Sequence, residues 1–121
     1  MQAIEMLDTA KDKKMTFDEF GVNRTFYWAY VYSKEAEAET LDFGDVIWDY
    51  DIEPIIEACR RFGIETITIS NTFSGLPETI WGFEERGCKL IGMTMVSSRF
   101  TDWKTGEHEM KPAFLIEIAS A

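Results

Sequence analysis

Two stretches of this chain follow one grammar, and together they limit the folds open to it. In the first, Ile52, Ile55, Ile56, Cys59 and Phe62 recur at the i, i+3, i+4, i+7 spacing of a helix with one face on a core. Gly63 follows the last apolar position, where a glycine in the left-handed conformation ends a helix. Residues 65–70 then alternate, with Ile67 and Ile69 to one side and Thr66 and Thr68 to the other, the pattern of a half-buried strand. Gly87 stands 24 residues after Gly63 and closes a second such unit, a helix over 76–86 followed by a strand over 88–98. Strands joined through a helix run parallel by a crossover. Residues 101–106 have turn chemistry, and a last strand near 112–118 returns antiparallel with Phe114, Ile116 and Ile118 on one face. Thr66, Thr68, Thr94 and Glu117 leave the alternate face polar, so helices cover mainly one side. The expected fold is α/β: a two-layer sandwich on a small mixed sheet of three to four strands, with a parallel βαβ unit and a C-terminal hairpin.

Upstream of these units the pattern is helical. Residues 2–12 place Ile4, Leu7 and Ala10 on one face. Thr16-Phe17-Asp18-Glu19 is a capping box, with Met15 and Phe20 in staple positions, and predicts a second helix over 17–38. Its aromatic run over 26–32 would suit a strand equally well. Residues 41–48 read as a connector with a short strand at 46–48. Asp51 is the expected N-cap of the helix over 52–62, and Pro54 falls in its first turn, where a missing N–H costs little. At 121 residues, 45% of them hydrophobic, the chain forms a single domain over 1–121. A helical part spans 1–40 and an α/β part 41–121.

Charge is distributed unevenly. Nine carboxylates and no basic residue lie from Glu35 to Glu57, and because the chain carries −10, all the rest sums to −1. Eight of the nine make up a candidate binding belt: Glu35, Glu37, Glu39, Asp42, Asp45, Asp49, Asp51 and Glu53. A concentrated field of one sign selects partners and speeds encounter. A pI near 4.5 opposes direct nucleic-acid binding, which needs Lys and Arg to neutralise phosphates, and favours a basic protein surface as partner. No apolar run approaches roughly 18 residues and no charged-then-apolar leader opens the chain, so neither a membrane span nor export is expected. Cys59 and Cys88 sit in apolar patterns without CxxC spacing, as buried free thiols of a cytoplasmic protein would.

Several local patterns have a plain structural explanation. Asp49-Tyr50-Asp51-Ile52-Glu53 opens like a calcium loop but lacks the glycine and the distal glutamate, and capping explains it. The loop 70–75 lies between a strand and a helix, where open α/β sheets seat ligands, yet it has no phosphate-binding glycine pattern and no lysine. His108, the single histidine, reads as an exposed hairpin residue with no second ligand. Trp103 at the hairpin tip is a candidate binding residue, since an exposed Trp is typical of interface hot spots. No catalytic residue, metal or cofactor is indicated.

The segments DVIWDYDIEPIIEACRRFGI, TISNTFSGLPETIWGFEERGCKL and SSRFTDWKTGEHEMKPAFLIEI resemble a group of small acidic uncharacterised proteins frequent on mobile elements of Gram-positive bacteria. The resemblance runs from Asp42 to Ile118, about two thirds of the chain. It implies a setting, that of accessory proteins of conjugative or phage-like DNA, some of which act on host proteins. It implies no activity, ligand or catalytic residue.

Three functions are open to such a chain. The first is a non-enzymatic interaction or accessory protein whose belt docks on a basic partner surface. The second is a DNA-mimic inhibitor of a host nucleic-acid-binding protein, its carboxylates imitating the phosphates of a duplex, which carries one charge per about 1.7 Å. The third is an enzyme of unrecognised type working at the loop 70–78 through Asn71, Thr72, Ser74 and Glu78. No nucleophile stands at a readable spacing from a base, and enzymatic activity is left open. The uncovered sheet face or the aromatic second helix could serve a homodimer.

Overall fold

The structure, a computed structural model, describes residues 3–11 and 21–120. Among these residues the helices are α1 (Ala3–Lys11), α2 (Arg24–Glu35), α3 (Ile52–Phe62) and α4 (Leu76–Glu85). The strands are β1 (Asp42–Phe43), β2 (Thr66–Ile69), β3 (Lys89–Thr101) and β4 (His108–Glu117), in the sheet order β1-β2-β4-β3. The fold is α/β, as its sequence pattern predicts.

The parallel pair is β1 with β2, where Asp42 lies beside Thr68 and Phe43 beside Ile69, and α3 is the crossover between them. This βαβ unit comes one step earlier in the chain than the sequence pattern suggests. The strands β2 and β3 do share a direction, but β4 inserts between them, antiparallel to both: Ile116 pairs with Ile67 on one side and Leu90 on the other. Burial explains the insertion. Ile116 is fully buried, whereas residues 89–95 of β3 are all exposed, so β4 suits the middle of the sheet and β3 its edge.

Cross-strand register puts Phe43, Ile67, Ile69 and Ile116 on one face of the sheet. There they join Ile52, Ile55, Ile56 and Cys59 of α3, Phe83 of α4, Phe26 and Tyr30 of α2, and Leu7 of α1 in one buried cluster. Burying each such side chain contributes about 1.5–3 kcal/mol. The opposite face carries Thr66, Thr68 and Glu117.

The aromatic run over 26–32 is helical. Phe26, Ala29, Tyr30 and Ser33 recur at helical spacing on its buried side, and Phe26 meets the Phe43 ring edge-on at 6.3 Å and stacks on Phe62 at 6.4 Å. The side-chain oxygen of Asn23 accepts the Phe26 N–H at 2.9 Å and caps α2. The capping box at 16–19 lies outside the described residues, but residues 21–23 are not helical, so the single helix expected over 17–38 is corrected to Arg24–Glu35, started by the Asn23 cap. The expected strand at 46–48 is instead loop, because the parallel pairing that buries Phe43 takes place at 42–43.

All three helices after the first end in one way. At Gly63 and Gly87 the backbone turns left-handed, with φ 74° and 88°, and crossed N–H bonds close the last turn: Gly63 to Arg60 and Ile64 to Cys59, then Gly87 to Glu84 and Cys88 to Phe83. This shared terminator is the physical content of the 24-residue repeat. α2 ends identically, through Glu37 to Lys34 and Ala38 to Ser33, but here Glu37 occupies the left-handed position at φ 54°. An L residue with a Cβ is held there at a cost of about 1–2 kcal/mol. Replacing Glu37→Gly is expected to raise unfolding free energy by about 0.5–1 kcal/mol, once the added unfolded-state freedom of glycine is offset; urea denaturation at neutral pH checks it.

Candidate interaction site

The connector that follows β1 is held by one carboxylate. Asp51 lies in a 3-10 turn over Asp49–Asp51 and is buried. Its Oδ2 accepts the Trp48 N–H at 3.0 Å and the Thr25 hydroxyl at 2.8 Å, and its Oδ1 accepts the Asn23 amide at 3.1 Å. A buried charge needs such a set of donors, because leaving it unpaired costs several kcal/mol. The side chain therefore does not cap α3, the role its position suggests. It closes the turn before that helix and ties the turn to the start of α2.

A second set of bonds holds the loop after β2 against this connector. Asn71 donates from Nδ2 to the Asp45 carbonyl at 3.1 Å and accepts the Phe73 N–H at 3.3 Å. The Thr79 hydroxyl of α4 lies 3.4 Å from the Ile47 carbonyl and 3.2 Å from that of Gly75. Between connector and loop opens a cleft of about 410 Å³, at the carboxyl ends of β1 and β2, the usual ligand position in open α/β sheets. Trp48 and Phe73, each about half exposed, stand over it, and the exposed carboxylates of Asp49 and Glu78 rim it. Tyr50 beside them is 75% exposed. Aromatic faces next to carboxylates are chemically suited to a cationic side chain, which both attract.

Glu35, Glu37, Glu39, Asp45, Asp49 and Glu53 of the belt are exposed, while Asp42 and Asp51 turn inward. Glu35 to Glu39 lie at the C-terminal end of α2, and Asp51 is bonded at its N-terminal end. Twelve helical residues at 1.5 Å each separate the two ends by about 18 Å, so the exposed acids form two groups. Asp45 lines one hollow with Arg24 and Trp28 and another with Arg99 and Lys111. Glu53 lies 3.5 Å from the Arg86 Nε.

Asp42 is half-buried on β1 and accepts the Ser70 hydroxyl at 2.6 Å and the Thr68 hydroxyl at 2.8 Å. Burial pushes its carboxyl above the ordinary value, against the opposing pull of those hydroxyls and the Lys111 charge. Trp103 is 87% exposed at the hairpin tip, with the Lys104 ammonium 5.3 Å from its ring. His108 opens β4 and is half-buried rather than exposed as the hairpin pattern suggests, because the strand already begins there. Cys59 and Cys88 are free and buried, and burial, with Cys88 close by, pushes the Cys59 thiol up to about 12. Among the described residues no cluster of His, Cys, Asp and Glu is placed to hold a metal ion.

A family model matches residues 25–118, a span that holds the whole sheet and both walls of the cleft. The chain belongs to the DUF7698 family. The family is described as a domain of unknown function. DUF7698 begins two residues after Asn23, so the cap of α2 and one of the three donors to Asp51 come from just outside the matched span. No curated protein and no solved structure matches the chain. No helix is long and apolar enough to cross a membrane among the described residues.

Two substitutions test this local architecture. Asp51→Ala is expected to cost about 2–4 kcal/mol, since it strands three donors at once, and to shift Trp48 fluorescence as the turn loosens. For Asp42 the folded state binds its proton more tightly than the unfolded chain. Stability from this group is therefore present below the ordinary carboxylate value of about 3.9 and is lost as pH rises through the raised folded value. The difference in urea midpoint between wild type and Asp42→Asn should change across that window and be flat above it.

Proposed function

We propose that this domain is a non-enzymatic interaction protein that receives a basic segment of a partner protein in the acid-rimmed, aromatic cleft between residues 45–53 and 71–78. The observation that carries the reading is the meeting of Trp48 and Phe73 with Asp49 and Glu78 around one opening. A Lys or Arg entering there gains charge-assisted hydrogen bonds at the rim and stacking on the rings. The acids speed encounter with a cationic surface, and the exposed aromatics supply the apolar anchors that carry most binding energy. The resemblance to accessory proteins of mobile elements agrees with a partner in the host cell, where the domain would work in the cytoplasm.

The split of the acids into two groups about 18 Å apart favours one short basic segment over the long regular charge run of a DNA mimic. Of the groups named in the enzyme reading, the Asn71 amide is engaged in holding the two loops together, and the Glu78 carboxylate belongs to the rim of the cleft.

The test is a triple reversal, Asp49→Lys, Glu53→Lys and Glu78→Lys, compared with wild type in affinity capture at low and high salt. Wild type should retain a basic protein at low salt and lose most of it at high salt. The triple variant, folded by circular dichroism, should retain at least tenfold less. Equal capture by both proteins would exclude this surface as the docking site.

A further inference from the structure

The strand β3 closes the sheet on the side away from β1, with β4 as its only neighbour in the sheet among the described residues. Its two ends are engaged. Glu84 accepts the Leu90 N–H at 2.9 Å, and the Ser97 hydroxyl donates to the Ala36 carbonyl at 2.8 Å. Between them, at residues 91–96, the described residues offer no hydrogen-bond partner other than β4. Alternate N–H and C=O groups there face outward, and a bare row of this kind is a template for another strand.

Sheet edges are ordinarily guarded by a short strand, a proline, a central lysine or a bulge. β3 is 13 residues long, contains no proline, and has no charged residue between Lys89 and Arg99. Its guards are two register irregularities, a bulge at Ile91 between Leu90 and Gly92 and a second between Ser97 and Thr101, and the stretch 92–97 between them is regular. Within it Met93 and Met95 are 61% and 55% exposed, and both lie on the same face as Met110 and Phe114 of β4. Methionine adapts its shape to whatever packs on it.

Charge chooses among the possible occupants. In a chain of −10, β3 holds no carboxylate at all, only Lys89 and Arg99. Two copies that approach by their acidic surfaces repel, whereas two that approach by residues 91–96 of β3 meet along a stretch without a carboxylate. Glu84 at one end, and the turn of Glu35 and Glu37 at the other, face Lys89 and Arg99. Asp49 and Asp51 of the acidic connector lie beyond β1, at the opposite edge of the sheet, while Asp45 shares a hollow with the cation Arg99 past the free stretch of β3. The geometry is also self-complementary. An antiparallel pair related by a two-fold axis offers each copy the donors and acceptors it lacks. With the axis at Met93, residues 91–95 pair with themselves in reverse, Lys89 meets Ser97, and no two cations stand opposite.

We propose that a second copy of this chain pairs with the free edge of β3 at residues 91–96, joining two four-stranded sheets into one continuous sheet across a two-fold axis. The joint leaves both clefts open to the solvent, so it is independent of the partner reading above.

Light scattering and sedimentation over a concentration series test the proposal. Wild type should show twice the chain mass of 14.0 kDa, and a Met93→Lys, Met95→Lys double variant with unchanged circular dichroism should fall to the single mass. Should that variant fail to fold, Met93→Cys at the axis supplies a second reading. Mild oxidation should crosslink it to its own copy as a covalent dimer, while Thr105→Cys in the hairpin loop stays uncrosslinked. A wild type of single mass at every concentration overturns the proposal. A folded double-lysine variant that remains dimeric, or equal crosslinking at positions 93 and 105, overturns it as well.

Discussion

A carboxylate taken out of water has to be met by donors, and Asp51 gathers them from three places in the chain. One is a backbone N–H three residues before it; the others are side chains at the entry to α2, 26 and 28 residues upstream. This convergence fixes where the connector turns, and so where Trp48 points and where α3 begins. The crossover helix, the β1–β2 pair it joins and the wall of the cleft all inherit their positions from it. Hydrophobic burial supplies most of the driving force, but it is nondirectional; the carboxylate supplies the direction.

The fold was legible where a residue type can do only one thing. Gly63 and Gly87 mark helix ends because a left-handed turn there is cheap for glycine, and the helices stop where these residues stand. The stripe from Ile52 to Cys59 is buried as its period requires. Strand neighbours were less legible. Alternation says which residues share a face but not which strand lies beside which, and only the contrast between the buried Ile116 and the exposed first half of β3 settles the order. The two-residue strand β1 was hidden for another reason: Asp42 looks like part of the acidic run, and its partners Thr68 and Ser70 are 26 and 28 residues away.

The same limit applies to the surface. Counting carboxylates located a charged region but could not separate the two that serve the interior from the six that face solvent. Spacing gives a hint for Asp51, since Asp three residues after the Trp48 N–H is the geometry of a side chain closing a turn, yet the same spacing suits a helix cap. The cleft depends on Asn71 and Thr79 bonding to carbonyls of a distant loop, and no local pattern announces such bonds. Trp48 and Phe73 read as core material by type; their exposure follows from those bonds.

The pair of buried thiols gives the molecule a built-in clock. Cys59 sits on the inner side of α3 and Cys88 just after the glycine that ends α4, both shut away from solvent. With its ionisation pushed to about 12, the Cys59 sulfur is almost never a thiolate near neutrality, and only the thiolate attacks an alkylating reagent. Alkylation must then wait for the helices to part from the sheet. The lag before each sulfur is alkylated would report how often that layer of the protein breathes, with no mutation needed.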